Sequence, residues 1–397
     1  MHNMKKFLIC AVALILGAVA GFSILTYIKL PTTDTLNITQ EVYYSNGETS
    51  STANANVDLT NADISVHFLE LGNKYTGDCT YIKTETADIL IDCGSKSNSI
   101  PTVKNYLDRY VEDGKLEFVI VTHAHQDHYA GFATTTKIQS IFDYYECETI
   151  ITFAQTAKGK TDTTMYKNFA RELAAEDDAG AVVFSAKECI EGTSKTDYNL
   201  NETVETSVQA KSTYNIGGGF ELKVLDSYYY HNQASSENDH SVCVLVSGQG
   251  KNFLFTGDLE EEGEEKLLEL NSLPKVDLYK AGHHGSKTSS SPALLQAINP
   301  TTICVCCCAG SPEYTKNENN QFPTQEFIDN ICDYTTTDEV YVTTLCVDYE
   351  NNEFTSFNGD IVYMVDDGEY NVDCSNNETY LKDSQWFKDN RVWKRTA

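Results

Sequence analysis

Four residues able to bind a metal fall within a six-residue stretch of this chain: His123, His125, Asp127 and His128 in THAHQDHYAG. They follow directly on KLEFVIVTH, whose apolar centre reads as a buried strand. Three of the nine histidines lie here, which sets the segment apart from an ordinary solvated loop. Four ligands in so short a loop cannot all reach one ion with good geometry. Imidazoles two residues apart can point the same way and hold one ion, while Asp127 and His128 turn to a second. Imidazole with carboxylate suits Zn²⁺, Mn²⁺ or Fe.

Two later segments extend the set. FLFTGD ends a strand with Asp258, and YKAGHHGS ends another with His283 and His284. Each puts a ligand at the C-terminal lip of a buried strand, beside a Gly that permits a tight turn. A carboxylate can bridge two cations through its two oxygens.

From Ile64 onward strands and helices alternate. ISVHFLELG, ADILIDCG, KLEFVIVTH and TTICVCCCAG read as strands, and VDLYKAGHHGS as a strand entering a loop. HSVCVLVSG and KNFLFTGD read as a hairpin around Gly248-Gln249-Gly250. PTVKNYLDRYVEDG, MYKNFARELAAEDDAG, EEEGEEKLLELN, SPALLQAIN and PTQEFIDNICDY carry helical spacing or helix-end signals. This continuous mixture predicts one α/β domain with layered sheets.

Ahead of it, Lys5 and Lys6 precede an uncharged run from Phe7 to Ile28, long enough to span a bilayer as a helix. Residues 1–30 are therefore expected to be a signal anchor, or a signal peptide cut after Ala20. The catalytic part then lies outside the cytoplasm, membrane-tethered or secreted. Residues 31–62, rich in Thr, Asn and Ser, read as a flexible linker. The 13 cysteines do not follow a disulfide framework, and Cys304, Cys306, Cys307 and Cys308 read as small buried residues on a central strand. Lys and Arg number 29 against 58 Asp and Glu, a net charge of −29. That balance argues against a broad electrostatic grip on nucleic acid, though not against a phosphodiester held by metal ions.

Taken together, HAHQDH, TGD and GHHGS resemble the metallo-β-lactamase-fold hydrolases. The resemblance is closer to one branch, the extracytoplasmic hydrolase domain of ComEC-type competence proteins. There the run reads LDVGQGD, LIDxG, THxHxDH, NNxS, TGD and GHHGS; here it reads LELGNKYTGD, LIDCG, THAHQDH, NDHS, TGD and GHHGS. The match extends from about Ile64 to about Tyr370. It implies an αββα sandwich over 63–372, with 373–397 as a C-terminal tail, and two divalent metal ions, zinc foremost and manganese second. Carried over, His123 and His125 hold the first ion. Asp127, His128 and His284 hold the second, and Asp258 bridges. His283 faces the substrate and acts with Asp127 in catalysis. Asp78 and Asp92 orient ligands from behind, or are strand-end turn residues.

The sequence departs from the pattern in three places. GQGD is stretched to GNKYTGD, Glu70 replaces the first Asp of LDVG, and the third ligand of the first ion is open. Asp239 or His240 can supply that ligand, and either serves equally as a turn residue. His67 and His231 read as exposed or strand-packed imidazoles.

Two cations about 3.5–4 Å apart activate a shared water and stabilise developing charge. The expected function is an extracytoplasmic phosphodiesterase or nuclease-like enzyme. Its substrate is a small-molecule or nucleic-acid phosphodiester; the membrane is met through the N-terminal helix, and no protein partner is expected. The alternatives are hydrolysis of a lactam, lactone or thioester in the same site, and a tethered non-catalytic binding module. Ser286, Lys287, Thr288 and Ser289 can hold an anionic group, although helix capping at Ser291-Pro292 is the preferred role of that Ser-rich stretch.

Overall fold

A computed structural model describes residues 57–59, 61–198 and 205–395. The expected anchor and most of the expected linker lie outside these residues. Among the described residues no helix is long and apolar enough to cross a membrane.

In chain order the strands are β1 (Ile64–Phe68), β2 (Thr80–Thr84), β3 (Asp88–Ile91), β4 (Lys115–Val121), β5 (Glu146–Thr152), β6 (Val182–Ser185), β7 (Ser194–Tyr198), β8 (Glu205–Gln209) and β9 (Thr213–Gly217). They continue with β10 (Phe220–Val224), β11 (Val244–Gly248), β12 (Lys251–Phe255), β13 (Leu278–Lys280), β14 (Thr302–Ala309), β15 (Glu339–Asp348), β16 (Glu353–Ser356), β17 (Ile361–Asp366) and β18 (Glu369–Cys374). One sheet runs β18-β17-β1-β2-β3-β4-β5-β6 and a second runs β16-β15-β14-β13-β12-β11-β10-β9, with β7 and β8 paired apart.

Side-chain alternation shows how the layers stack. On β1, Phe68 meets Phe255 of the second sheet, while His67 turns the other way onto Tyr106 and Tyr110. Tyr106 belongs to α1 (Ile100–Leu107), so a helix covers the outer face of the first sheet. On β14, Cys304 and Cys306 join the core between the sheets, while Ile303, Val305, Cys307 and Ala309 pack outward with Leu294, Leu295, Phe327 and Ile331. The latter four come from the helices at Pro292–Ile298 and Gln325–Tyr334. The order is helix, sheet, sheet, helix, the αββα arrangement expected. His67 is the strand-packed imidazole of the two alternatives: burial, reinforced by Arg109, lowers its pKa to about 3. All twelve cysteines among the described residues are free, and Cys304, Cys306, Cys307 and Cys308 are buried.

Several local readings appear as written. Ser291 caps its helix by accepting from the Leu294 N–H, with Pro292 at the first position. Gln249 and Gly250 take the left-handed backbone that a tight β11–β12 hairpin requires. Residue 372 falls inside β18, and the following segment packs onto the second sheet's helices: Leu381 and Phe387 enter that outer core. Arg391 is 5% exposed and donates to the carbonyls of Glu318, Gln321 and Pro323.

The topology fixes where chemistry can gather. β3 to β6 are mutually parallel, and so are β12 to β15. Parallel strands end on the same lip, where their loops meet. The loops after β3, β4, β12 and β13 carry Asp92, the histidine run, Asp258 and the His283-His284 pair, respectively. The sheets are stitched there by Val242 N–H to Thr122 C=O, 2.9 Å.

Farther along the same edge, Glu70 and Asp360 meet where β1 ends and β17 begins. The Glu70 N–H donates to Asp360 (2.9 Å), and Thr344 donates to the Glu70 carboxylate (3.1 Å). Burial first, then the Asp360 charge, pushes Glu70 up to about 7; burial pushes Asp360 up to about 6. Carboxyls with a raised folded-state pKa stabilise the fold while protonated, and that contribution is lost as pH rises through the folded value. Stability from this pair is therefore predicted to decline by several kcal/mol, roughly 6 at most, between about pH 4 and pH 8. Urea midpoints measured across that range should show a shallower decline in Glu70→Gln; an unchanged slope would contradict the assignment.

Candidate metal centre

The histidine loop is shaped by backbone contacts with the turn after β3. Cys93 N–H donates to the His128 carbonyl (2.7 Å), and Asp78 N–H to the Asp127 carbonyl (3.0 Å). Gly94 lies directly against the Asp127 carbonyl, where a Cβ would collide with it. This is the physical need for the Gly of LIDCG. Gly257 (φ +55°) plays the matching part in TGD, with Ser241 and Thr122 too close for any side chain.

Asp258 is the point of convergence. Its Oδ2 lies 3.1 Å from His128 Nε2, 3.4 Å from His284 Nε2, and 3.9 Å from both His123 Nε2 and His283 Nε2. Four imidazoles from two loops therefore aim the same nitrogen at one oxygen. His125 borders the group, with its Nδ1 3.0 Å from His123 Nε2. Asp127 Oδ2 is 3.6 Å from His284 Nε2. His123, His128 and Asp258 form one set with ligand atoms close enough for a single ion, and Asp127, His128 and His284 form another. His283 and His284 both adopt left-handed backbone (φ +46° and +55°), which costs on the order of 1–3 kcal/mol each and is held by the surrounding packing. His284 is buried, while His283 keeps 21% of its side chain open.

Asp78 and Asp92 stand behind this group. Asp92 Oδ2 is 2.7 Å from His128 Nδ1, and the Asp92 carboxylate also accepts the Thr122 N–H and hydroxyl, each at 2.7 Å. His284 Nδ1 lies 2.9 Å from the Cys306 carbonyl and 3.1 Å from Asp78. An acceptor on Nδ1 fixes the ring orientation and aims Nε2 at Asp258. Asp78 is in turn ion-paired with Lys280, which is 3% exposed.

The charge balance of the cluster suits a bound cation. Asp78, Asp92, Asp127 and Asp258 bring four carboxylates to this lip, and Lys280 is the one buried lysine paired with them among the described residues. Burial would lower His128 and His284, but Asp258 and its neighbours outweigh it and hold both above the usual imidazole range. Burial would likewise raise Asp258, yet His128 and His284 keep it below the usual carboxylate range. Asp258 Oδ1 and His284 Nε2 are buried with no hydrogen-bond partner among the described residues. Buried polar atoms left without partners in an imidazole–carboxylate cluster fit a divalent cation.

Asp239 and His240 lie elsewhere. Asp239 accepts the Glu260 N–H (3.2 Å) and lines an acidic surface cavity with Glu260, Glu261 and Glu262. His240 Nδ1 meets the Tyr229 carbonyl (3.3 Å). Neither joins a metal-capable set, and both sit in a turn. The neighbouring Glu237 instead ties two loops together through the N–H groups of Ala124 and Ala157. Ser286 and Thr288 hydrogen-bond to one another, and Thr288 meets His283 Nδ1 at 3.0 Å. Three side chains were missed in the sequence: Lys280 beneath the cluster, Lys160 with Nζ 2.7 Å from His125 Nε2, and Tyr314, whose hydroxyl donates to Asp127 Oδ2 at 2.7 Å. Lys280 stands three residues ahead of His283 and was within reach of a reading of that motif; Lys160 and Tyr314 carry no local signal.

Residues 72–141, which include the histidine loop, match the family profile described as Metallo-beta-lactamase superfamily. Over this stretch the chain is similar to the metallo-β-lactamase superfamily. It is 35% identical over 71 residues to ComE operon protein 3 of Bacillus subtilis, a stretch covering 18% of this chain and 9% of that protein. It is 39% identical over 83 residues to Recombination protein 2 of Haemophilus influenzae, covering 21% of this chain and 10% of that one. The alignments thus span about a tenth of the length of these curated relatives. Among solved structures, the metallo-β-lactamase fold protein YhfI of Bacillus subtilis is 11% identical with a TM-score of 0.37, over 70% of this chain and 96% of that one.

If Asp92 orients His128, Asp92→Asn should weaken divalent-metal binding about 10–100-fold in a chelator competition titration. Unchanged affinity would assign Asp92 to the turn alone.

Proposed function

We propose that the chain is a metal-dependent phosphodiesterase whose catalytic domain works outside the cytoplasm. The observation that carries this reading is the set of imidazole Nε2 atoms gathered on Asp258, with buried lone pairs left open. His123, His125, His128, His284, Asp127 and Asp258 would hold two divalent cations, zinc before manganese. Such cations, when held, make water a nucleophile near neutral pH and neutralise charge growing on a phosphoryl oxygen.

The chain's own residues then divide the remaining work. Asp92 and Asp78 fix the ring orientation of His128 and His284. Lys280 keeps Asp78 anionic: burial would raise this carboxyl, but Lys280 and His284 pull it down. His283, held through Nδ1 by Thr288 and partly open, is placed to meet substrate and to exchange a proton at Nε2. Asp127, which accepts the Tyr314 hydroxyl at the open side, would help hold the second cation.

Lys160 favours an anionic substrate over a neutral lactam or lactone. Its ammonium group already reaches the imidazole at the mouth of the cluster, where it would meet a phosphoryl oxygen. The net charge of −29 supports a short or small phosphodiester over an extended polyanion. The name of one curated relative, Recombination protein 2, suits a nucleotide-containing substrate. The location rests on the Lys5-Lys6 flank and the apolar run behind it.

The test is turnover by the purified full-length chain on a chromogenic phosphodiester, single-stranded DNA and a β-lactam, with zinc or manganese added. Phosphodiester turnover is expected, and Asp127→Ala and His284→Ala should each reduce it by more than about a hundredfold, beyond what loss of an outer partner costs. Turnover of the β-lactam alone, or full activity in those variants, would overturn the proposal.

A further inference from the structure

The segment between β14 and the helix Gln325–Tyr334 forms a wall beside the cluster. It is fastened at three points. Gly310 N–H meets the Phe322 carbonyl (2.8 Å). Glu313 accepts the Thr76 N–H (2.9 Å) and pairs with Lys96 (3.4 Å). Arg391 grips the carbonyls of Glu318, Gln321 and Pro323 from behind. The result is a preorganised strap.

Two aromatic rings face the site from it. Phe322 lies 5.7 Å from the His283 ring and 5.9 Å from the His284 ring. Tyr314 packs on Phe322 at 5.5 Å, with 41° between the planes. The Tyr314 hydroxyl is engaged by Asp127, yet the residue stays 54% exposed. A large aromatic left open beside a reaction centre, on a segment held this firmly, is a surface prepared for contact.

The chemistry of the occupant follows from what surrounds the wall. The chain's acidity denies a substrate a broad basic track, so affinity beyond the phosphate must come from an uncharged contact. The carboxylates beside Tyr314, Asp127 and Glu313, are already engaged, by the Tyr314 hydroxyl and by Lys96 respectively. A cationic headgroup would find no free counter-charge there. A planar neutral base stacks on such a ring without one.

We propose that Tyr314, backed by Phe322, is a nucleobase-stacking platform, so that the substrate is a phosphodiester of a nucleoside. This rests on the phosphodiesterase reading and narrows it to a substrate class. The ring lies within one nucleoside's reach of Asp127, which places the base beside a phosphate held at the cluster.

Calorimetric titration of the full chain in zinc with adenosine 5′-monophosphate and with ribose 5-phosphate reads the wall without depending on turnover. The base-bearing ligand should bind about tenfold more tightly, within the range known for stacking one base. That advantage should fall below about twofold in Tyr314→Ala and persist in Tyr314→Phe, which keeps the ring and loses the hydroxyl. Equal binding of the two ligands by the parent chain would overturn the proposal. So would an advantage that survives in Tyr314→Ala, or one lost equally in Tyr314→Phe. Absence of phosphodiester turnover with the stacking advantage intact would sink the phosphodiesterase reading and leave the platform standing.

Discussion

Four carboxylates drawn to one buried lip, with a single lysine to balance them, constrain everything else at this end of the molecule. Unpaired charge in a dry interior is costly, and the neighbours must supply protons or cations. Here His128 and His284 are held charged by Asp258, a stand-in for what divalent ions would do with neutral rings. The same balance explains Lys280, a fully charged side chain kept beneath the ligands and paired with Asp78.

The fold makes this concentration feasible. Two parallel runs of strands end on a common edge, so residues more than a hundred positions apart in sequence, such as His128 and Asp258, come within hydrogen-bond reach. Glycines at 94 and 257 let backbones approach where no side chain fits. Left-handed backbone at His283 and His284 then aims both rings at Asp258 from one short turn. Rigidity comes from the strands, and the ligands inherit it.

Much of this was legible in the sequence because the signals are local. HAHQDH, TGD and GHHGS each follow an apolar strand, and the strand ends dictate where the side chains emerge. Ser291-Pro292 and Gly248-Gln249-Gly250 were readable for the same reason: capping and tight-turn chemistry act within a few residues. What escaped depends on long-range contacts. β5, β6, β9, β10 and the strands from β15 onward complete both sheets through pairing between distant segments, although β10 alternates and β17 is apolar, so a local signal was present there too. Asp239 and His240 have ligand chemistry without ligand geometry: they close a turn, while Glu237 two residues earlier ties loops together. Tyr314 lies 187 positions from the aspartate it touches. The C-terminal segment looked like a tail because nothing local announces that Arg391 fastens the strap.

Anomalous diffraction from crystals of the full-length chain grown with zinc tests the central claim most directly. The account predicts two anomalous peaks within bonding distance of Asp258, one shared with His123 and His125, the other with Asp127, His128 and His284. A cluster free of anomalous scattering at saturating zinc, with the imidazoles still gathered on that carboxylate, would contradict it.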